Sequence, residues 1–268
     1  MIKIDNLLKL TCCLAVAVLV LADSSTEAGR RRRRRCCDEQ PCCGTTPSEE
    51  TSGEAEGMSP APAPEPEEAP YEEAADEADF VSLFNGDNLE GWQGATDGYE
   101  VLEGGILASK AESGGNLFTT DEYANFVLRF EFKLEPGSNN GIALRAPLEG
   151  VSAYTGMEIQ VLDDTADQYK DLQPYQYHGS IYGVVPAEKG HQKSVGEWNE
   201  QEIVVDGKHV KVTLNGHVIV DANIEEASTP ETLDKQPHPG LERDTGFIGL
   251  CGHGAHVEFR NMRVKTLD

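Results

Sequence analysis

Positive charge is scarce in this chain: 22 Lys and Arg stand against 47 Asp and Glu, a net charge of −25 over 268 residues. From Phe80 onward, 14 basic residues face 30 acidic ones, a net −16. Binding to a phosphate backbone rests on cationic neutralisation, so this balance argues against a nucleic-acid partner. Its plain reading is a domain kept soluble and apart from its neighbours. Long apolar runs are missing too. The longest, Leu10–Ala22, has 13 residues. That is too short for a stable membrane span and suits the h-region of an export signal. Cysteine nearly vanishes after residue 43, where Cys251 stands alone. A lone Cys in a β domain reads as a small buried hydrophobe before it reads as a nucleophile. No GxSxG, HExxH, phosphate-binding loop or dinucleotide fingerprint occurs, which removes the commonest motif-bearing enzyme classes. Helical stripes longer than two turns are absent, and so are internal repeats.

What is present divides the chain. Residues 1–28 read as a signal peptide, with small-residue cleavage sites at Val20-Leu21-Ala22 and Thr26-Glu27-Ala28. The expected destination is outside the cytoplasm, periplasmic or extracellular. Against it stands Arg30–Arg35, since positive charge after an apolar segment favours cytoplasmic retention. Residues 29–43 hold Cys36, Cys37, Cys42 and Cys43, spaced for disulfides, within or between chains, more than for a zinc site. Residues 44–79 carry 12 acidic residues and no Lys or Arg, with APAPEPEEAP at Ala61–Pro70. Like charges repel, proline stiffens, and nothing apolar can be buried, so a disordered tether is expected.

From Phe80 to Asp268 the texture is that of strands. Phe126–Leu134 (FVLRFEFKL) alternates with period two over nine residues. Gln201–Ala222 reads as a three-stranded meander, with turns at Asp206-Gly207 and Asn215-Gly216. Shorter strands are expected at Phe80–Phe84, Gly105–Ser109, Gly141–Ala146, Gly156–Leu162, Gly179–Tyr182, Gly246–Leu250 and Val257–Lys265. So many short strands separated by turn residues predict an all-β sandwich or jelly roll.

The polar constellation that stands out is Gly156-Met-Glu158-Ile-Gln160-Val-Leu-Asp163. On a regular strand Glu158 and Gln160 share one face, while Ile159 and Val161 share the other, toward the core. Asp163 would follow the inward set unless a bulge or the strand end re-aims it. Glu158 and Gln160 could equally be the wet side of an antiparallel strand. Arg145 offers a cation near a strand end or a surface ion pair; Tyr182 offers an aromatic platform or rim packing. His253, between glycines, offers an imidazole or fills a turn. Trp92 could stack on a sugar or sit in the core.

Together these segments resemble a family. Leu83-Phe-Asn-Gly86 with Gly91-Trp92, Gly141–Arg145, Gly156–Asp163, Gly179–Gly183, Gly196-Glu-Trp198-Asn199, Leu214-Asn-Gly216, Gly246–Gly254 and Val257–Arg263 are similar, in order, to the 3-keto-disaccharide hydrolase domain. Cys251 stands where that family usually has Gln. The resemblance implies a concanavalin A-like jelly roll of two antiparallel sheets. It also implies an exported enzyme that cleaves glycosides whose C3 hydroxyl has become a ketone. Such chemistry needs a base, an electrophile at the enolate oxygen and an acid for the leaving group. Glu158 is then the expected base or acid, with Arg145 and His253 as its electrostatic and acid partners. Gln160, Asp163, Tyr182 and Trp92 are expected to contact the sugar, and a divalent metal in place of Arg145 stays open. The rival readings are a retaining glycosidase using Glu158 and Asp163, and a sugar-binding module without catalysis.

Overall fold

The computed structural model describes residues 77–268. The signal, Arg/Cys and most of the tether assignments lie outside the described residues. Among the described residues, no helix is long and apolar enough to cross a membrane.

The alternation in the sequence becomes two antiparallel sheets. Thirteen strands follow in chain order: β1 (Val81–Ser82), β2 (Trp92–Gly94), β3 (Tyr99–Leu102), β4 (Ile106–Ser109), β5 (Gly115–Tyr123), β6 (Phe126–Leu134) and β7 (Asn139–Ala146). After a single helical turn, α1 (Ser152–Thr155), come β8 (Met157–Leu162), β9 (Trp198–Asp206), β10 (His209–Leu214) and β11 (His217–Asn223). A second turn, α2 (Ile224–Ala227), precedes β12 (Gly246–Gly252) and β13 (Val257–Thr266). The larger sheet runs β11-β10-β9-β6-β13-β4-β3, with β1 also on β13; the smaller runs β2-β5-β12-β7-β8. This is the jelly-roll sandwich expected from the sequence.

β6 sits near the middle of the larger sheet. Its Phe126, Leu128, Phe130, Phe132 and Leu134 are all buried, while the residues between them are half-buried. They meet Leu117, Ile142, Leu144, Ile159, Val161 and Leu250 from the smaller sheet. Five large apolar side chains on one strand, each stabilising by about 1.5–3 kcal/mol on burial, are enough to fix which face of β6 turns inward.

The expected meander is present, with one correction. Leu214 pairs with His217, so Asn215 and Gly216 form the second turn, both at positive φ (49° and 81°) as an Asn-Gly hairpin requires. In the first hairpin Asp206 pairs with His209, so the loop residues are Gly207 and Lys208, one step later than expected. Gly207 takes the positive φ there, at 57°. Gly179–Tyr182, expected to be a strand, makes only isolated bridges through Ile181 to Ile159 and Val185. Three strands lacked a clear sequence signal: β2, β3 and β5. At the other boundary the fold begins before Phe80. Glu77–Asp79 forms a 3-10 turn, and the Glu77 carboxylate accepts from Arg129 Nη1 at 2.6 Å and Arg263 Nε at 2.8 Å.

One polar pair is sealed into this core. His178 packs on Phe132 with ring centroids 5.0 Å apart, and its Nδ1 accepts from the Leu162 amide. Its Nε2 and both amide atoms of the buried Gln201 make no hydrogen bond. Burial pushes the His178 pKa down to about 4. The unfolded chain, with an ordinary His near 6.5, therefore binds this proton first as pH falls. Stability from His178 is present above about pH 6.5 and drains between there and about 4. Urea melts at pH 7 and pH 5 should show a loss of about 2 kcal/mol from this residue. A His178→Phe variant should lack that part of the acid sensitivity; an unchanged difference between the two pH values would count against it.

Candidate active site

β8 supplies the floor. Met157, Ile159 and Val161 point to the core, so Glu158, Gln160 and Leu162 face the outer side of the smaller sheet. That side is not open to water. α1 and the residue 165–182 loop cover it, leaving Glu158 and Gln160 only 6% and 4% exposed. The loop is tied to the strand's free edge: Gln160 N donates to Ser180 O, Gly179 N to Gln160 O and Tyr182 N to Glu158 O. These bonds place Tyr182 beside the carboxylate.

The resulting cavity holds about 230 Å³. Glu158, Gln160, Tyr182 and His253 all line it, so four of the seven expected residues come together. His253 follows β12, half-exposed, with Nε2 3.5 Å from Glu158 Oε1. The neighbouring carboxylate raises the His253 pKa above its usual value, and burial only partly opposes this. Gln160 Nε2 donates to Asn139 Oδ1 at 2.7 Å and Asn140 O at 3.3 Å, which holds its amide flat against β7. Gln176 Nε2 donates to Tyr182 Oη at 3.0 Å, so the Tyr182 proton is left to point elsewhere.

Glycine makes room for the acid. Gly141 pairs with Gln160 and Ala143 with Glu158. The Glu158 side chain lies across Gly141, where any Cβ would collide with its carboxyl group. Gly141→Ala should displace the carboxylate, cost about 1–3 kcal/mol by overpacking and lower turnover. Unchanged activity with an unchanged melting point would show that the contact does not matter.

Three expected site residues are elsewhere. Arg145 is a structural plug, 1% exposed. Between Phe247↔Ala146 and Gly249↔Ala143 the ladder shifts register, and Arg145 sits in that bulge at φ 48°. The bulge turns its guanidinium away from the cavity, onto Ala124 O (2.7 Å), Gly207 O (2.8 Å), Arg243 O (3.3 Å) and Asn125 Oδ1 (2.9 Å). Asp163 lies past the end of β8. It accepts from Gly137 N, Thr165 N and Thr165 Oγ1, which pins a turn and uses the carboxylate away from the cavity. Trp92 is a core residue, 6% exposed, with its indole N–H on Leu83 O at 2.8 Å. It offers no face to a sugar.

Other lining residues escaped the sequence reading: Asn139, Tyr154, Tyr169, Leu172 and Gln176. One clue was present, since four of the chain's eight Tyr fall between residues 169 and 182. Tyr154 is backed by His238, whose ring meets it edge-on at 4.8 Å. His238 itself is fixed between Ala153 O and the Asp234 carboxylate. Cys251 is buried on this same outer face with Phe118, Ala143 and Ala146. Burial, and after it the charge of Glu158, pushes its thiol well above the usual range, so it behaves as packing.

A catalytic zinc finds too few ligands here. Glu158 and His253 are two donors, and the adjacent Asn139 oxygen is already taken by Gln160. Catalytic zinc sites use three protein ligands. Among the described residues no group of three or more His, Cys, Asp or Glu could hold a metal ion.

A larger concavity, about 780 Å³, lies on the outer face of the other sheet. Its Arg129, Arg263 and Glu77 pair with one another, and Glu131 pairs with Arg260. Those pairs stitch strands together, and no buried acid faces a base there as Glu158 faces His253.

The model of the 3-keto-alpha-glucoside-1,2-lyase-like domain matches residues 79–265. A 3-keto-disaccharide hydrolase of Bacteroides thetaiotaomicron is 28% identical over 231 residues, covering 70% of this chain and 79% of that protein. A solved "putative glycosyl hydrolase" of Parabacteroides distasonis is 29% identical, with a TM-score of 0.63, covering 70% of this chain and 99% of its own. A second solved protein of that organism has the same TM-score at 23% identity and speaks for the fold alone, covering 73% of this chain and 97% of its own. Fold and relatives together support a carbohydrate-active, hydrolase-like role. The chain belongs to the 3-keto-alpha-glucoside-1,2-lyase-like domain family.

Proposed function

We propose that this domain cleaves the glycosidic bond of 3-keto-glycosides, with Glu158 and His253 as the acid–base pair. The observation that carries the reading is the buried Glu158 carboxylate facing His253 Nε2 at 3.5 Å over a sugar-sized cavity. A ketone at C3 acidifies the hydrogen on C2. Glu158 takes that proton. The C2–H electron pair passes into the enolate and then into a C1–C2 double bond as the C1–O bond breaks. His253, whose pKa Glu158's carboxylate raises, gives its proton to the leaving oxygen. Water adding at C1 completes net hydrolysis.

With Arg145 absent from the cavity, the enolate oxygen needs another donor. Tyr182 fits, because its oxygen already accepts from Gln176 and its own proton is free to donate. Gln160 and Asn139 form the polar floor against which the ring hydroxyls rest.

The rival retaining glycosidase needs a second carboxylate on the cavity, and Asp163 is committed to Gly137 and Thr165. Incubating the purified protein with a 3-keto-glucoside should release the aglycone, with or without chelator. Release from the unoxidised glucoside at a similar rate would favour the glycosidase. Calorimetric binding of both sugars without turnover would favour the sugar-binding module.

A further inference from the structure

We infer that Tyr154 is a second donor to the enolate oxygen, beside Tyr182, and that the buried Asp234–His238 pair positions it. The inference rests on the proposed reaction and deepens it. Among the described residues, three tyrosines line the cavity: Tyr154, Tyr169 and Tyr182. The Tyr169 hydroxyl donates to Gly137 O, and the Tyr182 hydroxyl accepts from Gln176. The Tyr154 hydroxyl alone makes no hydrogen bond among the described residues. Burial, and after it the charges of Tyr182, Asp234, Tyr175 and Glu158, raises the Tyr154 pKa. Its oxygen therefore lies within electrostatic reach of both Tyr182 and Glu158, and it keeps its proton to donate.

The ring of Tyr154 is held from behind. It belongs to α1, a single turn that has little rigidity of its own. His238 meets the ring edge-on, and its Nδ1 lies 3.0 Å from the oxygen of Ala153, the residue before Tyr154. His238 Nε2 lies 3.1 Å from both carboxylate oxygens of Asp234. The two side chains are only 1% and 7% exposed. Taking an acid and an imidazole out of water costs free energy, and apolar side chains would fill the same space at least as well. The pair fixes both the backbone and the ring of a residue whose tip is unspent. Oxyanion donors act best when they are in place before the charge develops. As Glu158 removes the C2 proton, the C–H electron pair forms the C2–C3 double bond and the carbonyl pair moves onto the C3 oxygen. That oxygen is where the Tyr154 and Tyr182 hydroxyls donate.

Enolisation can be read apart from cleavage. The C3 ketone of anhydroglucitol carries only hydrogen on C1, so it can enolise but has no group to lose. In heavy water the natural protein should exchange its C2 hydrogen for deuterium, followed by NMR. Tyr154→Phe should slow that exchange about 10²-fold and change KM less than about threefold, because the charge appears only in the transition state. His238→Gln and Asp234→Asn should each slow it about tenfold through a misplaced Tyr154. Neither should slow it further on top of Tyr154→Phe. Where one of the two fails to fold, the other decides. Exchange at the natural rate in Tyr154→Phe overturns the role of Tyr154. Losses that multiply in the double variants overturn the positioning role, since a pair that only held the fold would act independently of that hydroxyl. Exchange without release of aglycone from a 3-keto-glucoside sinks the proposed cleavage and leaves this inference standing. No exchange at all overturns both.

Discussion

Glu158→Gln should lower cleavage of a 3-keto-glucoside by about 10²–10⁴-fold while leaving the melting temperature near its original value. Gln has the same shape, so it still fits across Gly141, but it cannot take a proton from C2. The substitution has a second, independent readout at His253. Two influences act on that imidazole: the Glu158 carboxylate raises its pKa and burial lowers it. Removing the carboxylate leaves only the lowering influence. The His253 pKa should therefore move from above to at or below the ordinary value of about 6.5, observable by NMR titration of the ring. The direction also fixes the pH profile of the natural protein. If His253 is the acid, activity requires its protonated form, so kcat should fall as pH rises through the raised pKa. Retained turnover in the variant, or a His253 titration that does not move, would remove Glu158 from the role given to it.

Arg145→Leu should be among the most destabilising single changes in the domain, roughly 3–5 kcal/mol. The guanidinium is 1% exposed and donates to three backbone carbonyls and the Asn125 side chain. Leucine would fill part of the volume and take this donor from the Ala124, Gly207 and Arg243 carbonyls, while Asn125 Oδ1 would keep only the Gly207 N–H. Lysine should rescue little, since one ammonium cannot reproduce the fork that spans Ala124, Gly207 and Arg243. Urea unfolding reads the effect directly. Where the variant is folded, KM for a 3-keto-glucoside should be close to that of the parent. A variant of normal stability with lost turnover would reverse the assignment and return Arg145 to catalysis.

These two residues show where sequence reasoning reached and where it stopped. Glu158 and Gln160 lie on a regular strand, so period two alone decided their face, and the fold agrees. The same counting worked for β6 across nine residues. The sequence offers Arg145 only as a cation near a strand end, and nothing in Gly141–Arg145 announces the bulge, with a left-handed residue that is not glycine, that turns it from the cavity. For Asp163 the strand-end exception applies: one residue past β8, the side chain obeys the turn it pins. Trp92 was balanced between core and sugar platform, and only its hydrogen bond to Leu83 decides between them. The walls of the cavity, Tyr154, Tyr169, Leu172 and Gln176, come from loops and from α1, whose conformations rest on tertiary hydrogen bonds rather than on any periodicity. Gly141 was quoted for a motif, but its purpose, an empty place for the Glu158 side chain, appears only once β7 and β8 are paired.

The Glu77 clasp has a consequence for handling this molecule. Glu77 grips Arg129 and Arg263 on the outer face of the larger sheet, while the cavity opens on the outer face of the smaller one. Glu77 thus lies on the side turned away from the substrate mouth. A bead, a fluorophore or a fusion partner attached directly at residue 77 would sit on the back of the sandwich. Coupled to a surface that way, the domain should present its mouth outward and keep its solution kcat, whereas coupling through lysines near the mouth, such as Lys170, should slow it.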